Sequence, residues 1–209
     1  MKKVFTVGLS VLFLFTINSV QATTVDHVYN VTYPEKIKKP IIHEQLGKYM
    51  RDVYPQLPKK REEELEKYIT KFSKKRDVDP FLVASFVGIE CDFVNQKSEI
   101  WHKKPIYNDN GKIIEYELVQ ENSCGYFQMN PDTFERIMGY STTCEQLKLD
   151  VKEAVRAGVK YVANKVLEKG ANGIGEYNSG PDDGKWNFGY MYKVIGEYKR
   201  VRHEYKPSV

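Results

Sequence analysis

Apolar residues recur along most of this chain with the period of a helix. From Lys59 to Lys75, Leu65, Tyr68, Ile69 and Phe72 fall at i, i+3, i+4 and i+7 while lysine and glutamate fill the other face, which predicts an amphipathic scaffold helix. Asp79 followed by Pro80 has the form of an N-cap and a first helical residue, and predicts a helix running to about Phe93. Its first eleven residues, Asp79 to Ile89, are overwhelmingly apolar, and the run closes on the carboxylate of Glu90. Further on, Asn130 and Gly139 bracket a predicted helix from Pro131 to Met138. Asp150 and Glu153 resemble a capping box that opens a helix to Lys169, with Val151, Ala154, Val155, Gly158, Val159, Val162 and Val166 in helical spacing and Gly170 as its stop. A glycine-rich stretch from Gly173 to Pro181 then leads to a last helix, about Phe188 to Tyr205, with Tyr190, Val194, Ile195, Tyr198 and Val201 directed inward.

The pattern changes character twice. Residues 23–57 carry Pro34, Pro40, Pro55 and no clear period, and read as an N-terminal arm with one short helix near His43 to Val53. Between Trp101 and Val119 two β-rich runs flank Asn110-Gly111, the signal of a hairpin inserted at about 101–120. The expected fold is mainly α with a small β-hairpin insertion, in a domain spanning residues 58–209.

The first residues have a separate task. Lys2 and Lys3 precede an almost unbroken apolar stretch from Val4 to Ile17, and Val20-Gln21-Ala22 has the small-x-small form of a cleavage site, so residues 1–22 read as a secretory signal peptide. The apolar segment is shorter than the roughly 20 residues of a membrane span. The expected product is soluble, and periplasmic or secreted after cleavage near Ala22. Removing residues 1–22 takes two lysines from a chain of 209 residues and formal charge +4, leaving 187 residues at +2. That is one domain's worth of chain. The charge alternates along the helices and forms no concentrated basic face, so nucleic acid is not the expected partner.

Cysteine and histidine exclude more than they assign. Cys91, Cys124 and Cys144 allow one intramolecular disulfide and leave one thiol, and the sequence leaves the pairing open, with Cys91–Cys124 and Cys124–Cys144 weighed equally. His27, His43, His102 and His203 are scattered without a ligand-like pair, so neither a metal nor a cofactor is expected. A thiol nucleophile at Cys91 or Cys124 lacks a nearby histidine in sequence. Glu90 is the stronger candidate for chemistry. A carboxyl held in an apolar cleft keeps its proton towards neutral pH and can donate it to a leaving group, which is the chemistry of glycosidases.

The order of features resembles lytic transglycosylases of the soluble-lytic-transglycosylase (SLT) type, in the lysozyme-like superfamily. Four segments between about residues 78 and 205 carry the resemblance: Ile89-Glu90-Cys91-Asp92-Phe93, Gly125-Tyr126-Phe127-Gln128-Met129-Asn130-Pro131, Glu176-Tyr177-Asn178-Ser179-Gly180-Pro181, and Tyr190-Met191-Tyr192-Lys193-Val194. In that family the first supplies the catalytic glutamate, the second a cleft turn like Gly-Leu-Met-Gln, the third an Ala-Tyr-Asn-x-Gly element and the fourth a tyrosine on the last helix. The resemblance therefore implies Glu90 as the catalytic acid, with substrate-binding roles for Gly125, Tyr126, Phe127, Gln128, Met129, Tyr177, Asn178 and Tyr190. It implies cleavage between N-acetylmuramic acid and N-acetylglucosamine in peptidoglycan, with Tyr177 donating its phenol to the Glu90 carboxylate or to the intermediate and Gln128 offering its amide to an acetamido group.

The implied partner is peptidoglycan strands met by a monomer, and the sequence leaves open general wall remodelling or action beside a secretion or conjugation apparatus that crosses the envelope. Cys91 stands where the family usually has serine, Tyr126-Phe127 where it has Leu-Met, and Glu176 where it has a small residue. Two neighbouring readings share parts of this pattern. A goose-type lysozyme would add water and recruit Asp92, Glu121 or Glu176 as a second carboxylate, and a noncatalytic wall-binding protein would use the cleft for recognition alone.

Overall fold

A computed structural model describes residues 39–179 and 187–205, all within one compact unit of the chain. The expected signal peptide, the first part of the arm and the Gly180-Pro181 pair lie outside the described residues. No helix among the described residues is long and apolar enough to cross a membrane.

The helix expected near His43 begins earlier, and α1 runs Lys39–Val53. Leu46, Tyr49 and Met50 are fully buried, so the second half of the arm is core. The scaffold helix α2 spans Lys59–Lys75 as its pattern predicts, with Leu65, Ile69 and Phe72 inward. Next comes α3, Pro80–Cys91, opened by Asp79, whose carboxylate accepts from the Phe81 N–H at 2.8 Å. Pro80 to Gly88 are all buried, so α3 is enclosed on every side, as a helix without a polar face must be.

Strands β1, Lys97–Tyr107, and β2, Ile113–Cys124, form an antiparallel hairpin that starts before and ends after its expected bounds. Its base is joined to the following turn by an antiparallel bridge between Cys124 and Met129. Trp101, Tyr107, Ile114, Tyr116 and Leu118 are exposed along it. The helix α4, Pro131–Met138, has the expected Asn130 and Gly139 at its ends. A short helix α5, Cys144–Leu149, was not expected; Thr143 and Gln146 close a full capping box around it. The long helix α6, Val151–Lys169, follows, with Asp150 accepting from the Glu153 N–H at 3.0 Å.

The glycine-rich stretch departs from expectation, because it is helical: α7 spans Ala171–Ser179. Its glycines serve packing. A Cβ at Gly173 would collide with the Lys165 carbonyl, so α7 rests directly on the backbone of α6. The final helix α8, Phe188–Glu204, buries Tyr190, Met191, Val194, Tyr198 and Val201. It packs on α3 and α7. Polar ties fix its rotation: Tyr198 donates to Asp79 at 2.9 Å, Arg202 reaches the same carboxylate at 3.5 Å, and Tyr49 of α1 donates to Glu197 at 2.8 Å. The outcome is a mainly α domain with one β-hairpin insertion.

Candidate active site

Glu90 sits in the last turn of α3, where burial gives way to partial exposure: Gly88 is buried, Ile89 and Glu90 are intermediate. Burial pushes its carboxyl up to about 7, and a hydrogen bond from Tyr190 opposes that rise in part. The Tyr190 hydroxyl on α8 donates to Glu90 Oε1. Asn187 caps α8 by accepting from the Tyr190 N–H at 2.9 Å, which fixes the first turn that carries this phenol.

Around the pair stand aromatic rings. The Tyr177 ring lies parallel to Tyr190 with centroids 6.2 Å apart, and Phe86 and Tyr161 flank Tyr177 at 4.9 and 4.8 Å. These rings exclude water from one side of the carboxylate. Their hydroxyls stay protonated, since burial, then the Glu90 charge, pushes both Tyr177 and Tyr190 upward. Tyr177 does not reach Glu90 as expected. Its hydroxyl donates instead to the Phe127 carbonyl at 2.7 Å.

The turn after the hairpin faces this group through its backbone. Gly125 has φ +71°, a conformation that glycine adopts without strain, and its N–H donates to the Gln96 carbonyl at 2.9 Å. Gln128, at φ +42°, folds back so that its amide donates to the Gly125 carbonyl at 2.8 Å and accepts from the Ser98 hydroxyl. That amide fastens the hairpin base. Tyr126, Phe127 and Met129 are buried. Phe127 packs over Gly158 of α6, and Met129 lies with Phe134 and the Cys124–Cys144 disulfide. These three offer a substrate backbone groups only.

Two successive carbonyls of the turn are held in place: Tyr126 O accepts from Cys91 Sγ at 3.3 Å, and Phe127 O from Tyr177. The free cysteine, next to Glu90, is therefore a tie between α3 and the turn. Burial pushes its thiol up to about 12, which makes it a poor nucleophile.

The remaining expected positions separate. Asn178 is exposed, and its carbonyl oxygen accepts from Asn187 at 2.8 Å. Glu176 is buried between Lys165 at 3.0 Å and Lys169 at 2.7 Å, whose hydrogen bonds, Lys169 first, pull its carboxyl downward. Asp92 and Glu121 are exposed. Immediately after α3, Asp92 and Phe93 both adopt left-handed backbone, at φ +48° and +60°. Such residues cost about 1–2 kcal/mol each. The buried Phe93 ring, edge-on to Tyr49 at 5.4 Å, anchors them.

Phe86 and Tyr161 were not anticipated. Phe86 lies one helical turn before Glu90, and Tyr161 falls seven residues after Ala154 on the inward stripe of α6; both spacings are visible in the chain. Among the described residues no group of histidine, cysteine or carboxylate side chains is arranged to hold a metal.

No family model matches this chain, and no curated protein does. Among solved structures it is similar to an inactive mutant of the lytic transglycosylase Slt from Pseudomonas aeruginosa, at 15% identity and a TM-score of 0.38. The match covers 66% of this chain and 22% of that one, so the chain spans under a quarter of that protein's length.

Proposed function

We propose that this protein is an exported lytic transglycosylase that cleaves the β-1,4 bond between N-acetylmuramic acid and N-acetylglucosamine, with Glu90 as both acid and base. The observation that supports this most is a half-buried carboxyl raised to about 7, gripped by one phenol and walled by aromatic rings. A group with that pKa holds its proton at neutral pH and gives it up readily, as an acid that must later act as a base requires.

The steps follow from one carboxyl. Protonated Glu90 donates to the glycosidic oxygen, and the C1–O bond breaks. The muramoyl 2-acetamido oxygen stabilises the cation at C1. Glu90, now a carboxylate steadied by Tyr190, takes the proton of the muramoyl C6 hydroxyl, and that oxygen closes on C1 to give the 1,6-anhydro product. Water takes no part. A hydrolase reading needs a second carboxylate, and Glu176 is already committed to two lysines.

The test is digestion of purified peptidoglycan by wild-type protein and by Glu90→Gln, with products weighed by mass spectrometry. Anhydro-muramoyl fragments from the wild type and none from the variant are expected. Products heavier by one water would establish hydrolysis instead, and binding without soluble fragments would establish a recognition protein.

A further inference from the structure

Away from Glu90, the described residues enclose a cavity of about 320 Å³ between the end of α2, the end of α4 and α6. That volume is at the small end of small-molecule sites. Four of its lining residues are cations: Lys75, Arg76, Arg156 and Lys160. Phe72, Met138 and Tyr140 supply the apolar wall, and no acidic residue lines it. It shares no residue with the Glu90 site.

The charge here is unbalanced. Arg156 pairs with Glu153 at 2.6 Å and donates to the Tyr140 hydroxyl at 2.5 Å, both through Nη2. Its Nε is buried without an acceptor. A buried guanidinium donor left unmet is costly, and it marks a place where an oxygen ligand would be favourable. Lys160 is steadied by the Ile137 carbonyl at 2.6 Å, which orders its ammonium without neutralising it. Among the described residues no acid pairs with Lys160, Lys75 or Arg76. Lys75 and Arg76 also suit the negative end of α2, but Arg156 and Lys160 come from the middle of another helix, one turn apart.

With Arg156 paired to Glu153, three cations remain without an acid among the described residues, still more than one carboxylate needs, since a single guanidinium fork satisfies that group. They match the near-double charge and three oxygens of a phosphate monoester. We propose that this cavity binds a small organic phosphate monoester, with Lys75, Arg76, Arg156 and Lys160 around the phosphate. Phe72, Met138 and Tyr140 lie against the carbon skeleton. A free phosphate monoester and the monoester headgroup of phosphatidic acid share this chemistry.

The experiment is titration of the purified protein with inorganic phosphate, glycerol 3-phosphate and acetate at fixed ionic strength, followed by calorimetry and by the shift in Tm. Glycerol 3-phosphate is expected to bind at least about tenfold more tightly than acetate, and the double variant Lys75→Gln/Arg76→Gln to lose about tenfold with its ligand-free Tm unchanged. Glu90→Gln is expected to bind as the wild type does, which separates this site from the catalytic reading. Binding to phosphatidic acid vesicles that glycerol 3-phosphate reverses would identify a headgroup as the source, and vesicles left unbound a free phosphate monoester. Equal binding of acetate, undiminished binding by the double variant, or no response to millimolar phosphate would each overturn the proposal.

Discussion

Tyr190 and Glu90, one hundred residues apart in the chain, meet through a hydrogen bond from the phenol to the carboxylate. The bond joins the first turn of α8 to the last turn of α3, and it stabilises the charged form of an acid whose burial favours the neutral one. Burial has the larger effect, and the bond lowers the pH at which Glu90 gives up its proton from where burial alone would put it.

Tyr190→Phe removes the donor and leaves the ring. Glu90 then loses what lowers its pKa, so its protonated form persists to higher pH. The alkaline limb of glycan cleavage is expected to move up by on the order of one pH unit, with the maximal rate down about tenfold. A pH–rate profile of fragment release checks both. An alkaline limb that stays in place would disconnect the phenol from the acid.

Glu90→Gln separates activity from stability. Turnover is expected to fall by about a thousandfold, within the range for loss of a general acid. Stability moves the other way. The folded carboxyl keeps its proton to about pH 7, whereas the unfolded one releases it near 4.5. Between those values the unfolded state binds fewer protons, so wild-type stability declines as pH rises through that window and then levels off. The decline attributable to this group is on the order of 3 kcal/mol. The variant lacks it, and urea melts at pH 4 and pH 8 should show the variant gaining on the wild type at pH 8. Parallel behaviour at both pH values would mean that Glu90 is not held in a desolvated site.

Gly158→Ala tests how the cleft turn is supported. An added methyl would fall on the Phe127 ring, which has no other place in a packed core. Overpacking of this kind costs about 1–3 kcal/mol. Since the Phe127 carbonyl anchors Tyr177, activity is expected to fall along with stability. Thermal melts and fragment release measure the two effects, and an unchanged Tm would place Phe127 outside the core.

Local signals were readable in the chain, and tertiary ones were not. Asp79-Pro80, Asn130-Pro131 with Gly139, and Asp150 each mark a helix end by chemistry within a few residues, and all three hold. The helix at Ala171–Ser179 was hidden because glycine reads as a breaker, while Gly173 is there to let one helix touch another's backbone. Glu90 was visible as the end of an apolar run. Which tyrosine reaches it depends on how α7 and α8 are rotated against α3, and no spacing within either segment encodes that. Gln128 was read as a ligand-facing amide from the resemblance of its segment to a cleft turn, with its donor and acceptor as the physical reason. Its left-handed backbone turns it back onto Gly125 and Ser98.

The three cysteines give the last prediction. Cys124 and Cys144 form the disulfide, which closes a loop across a separation of 20 residues, and Cys91 stays a buried thiol. Loss of such a loop costs about 3 kcal/mol in the chain-entropy account, so Cys124→Ser/Cys144→Ser should lower the midpoint of urea unfolding accordingly. Cys91 behaves differently. Its Sγ is directed at the Tyr126 and Val87 carbonyls, at 3.3 and 3.4 Å, and its pKa near 12 leaves almost no thiolate at neutral pH. The folded protein should therefore resist thiol reagents, the unfolded protein should take up one equivalent, and the unfolded and reduced protein three. Rapid labelling of the folded state would expose a reactive thiol beside Glu90 and reopen nucleophilic chemistry at Cys91. Resistance to labelling leaves the sulfur as the tie that holds the cleft turn against the helix of the acid.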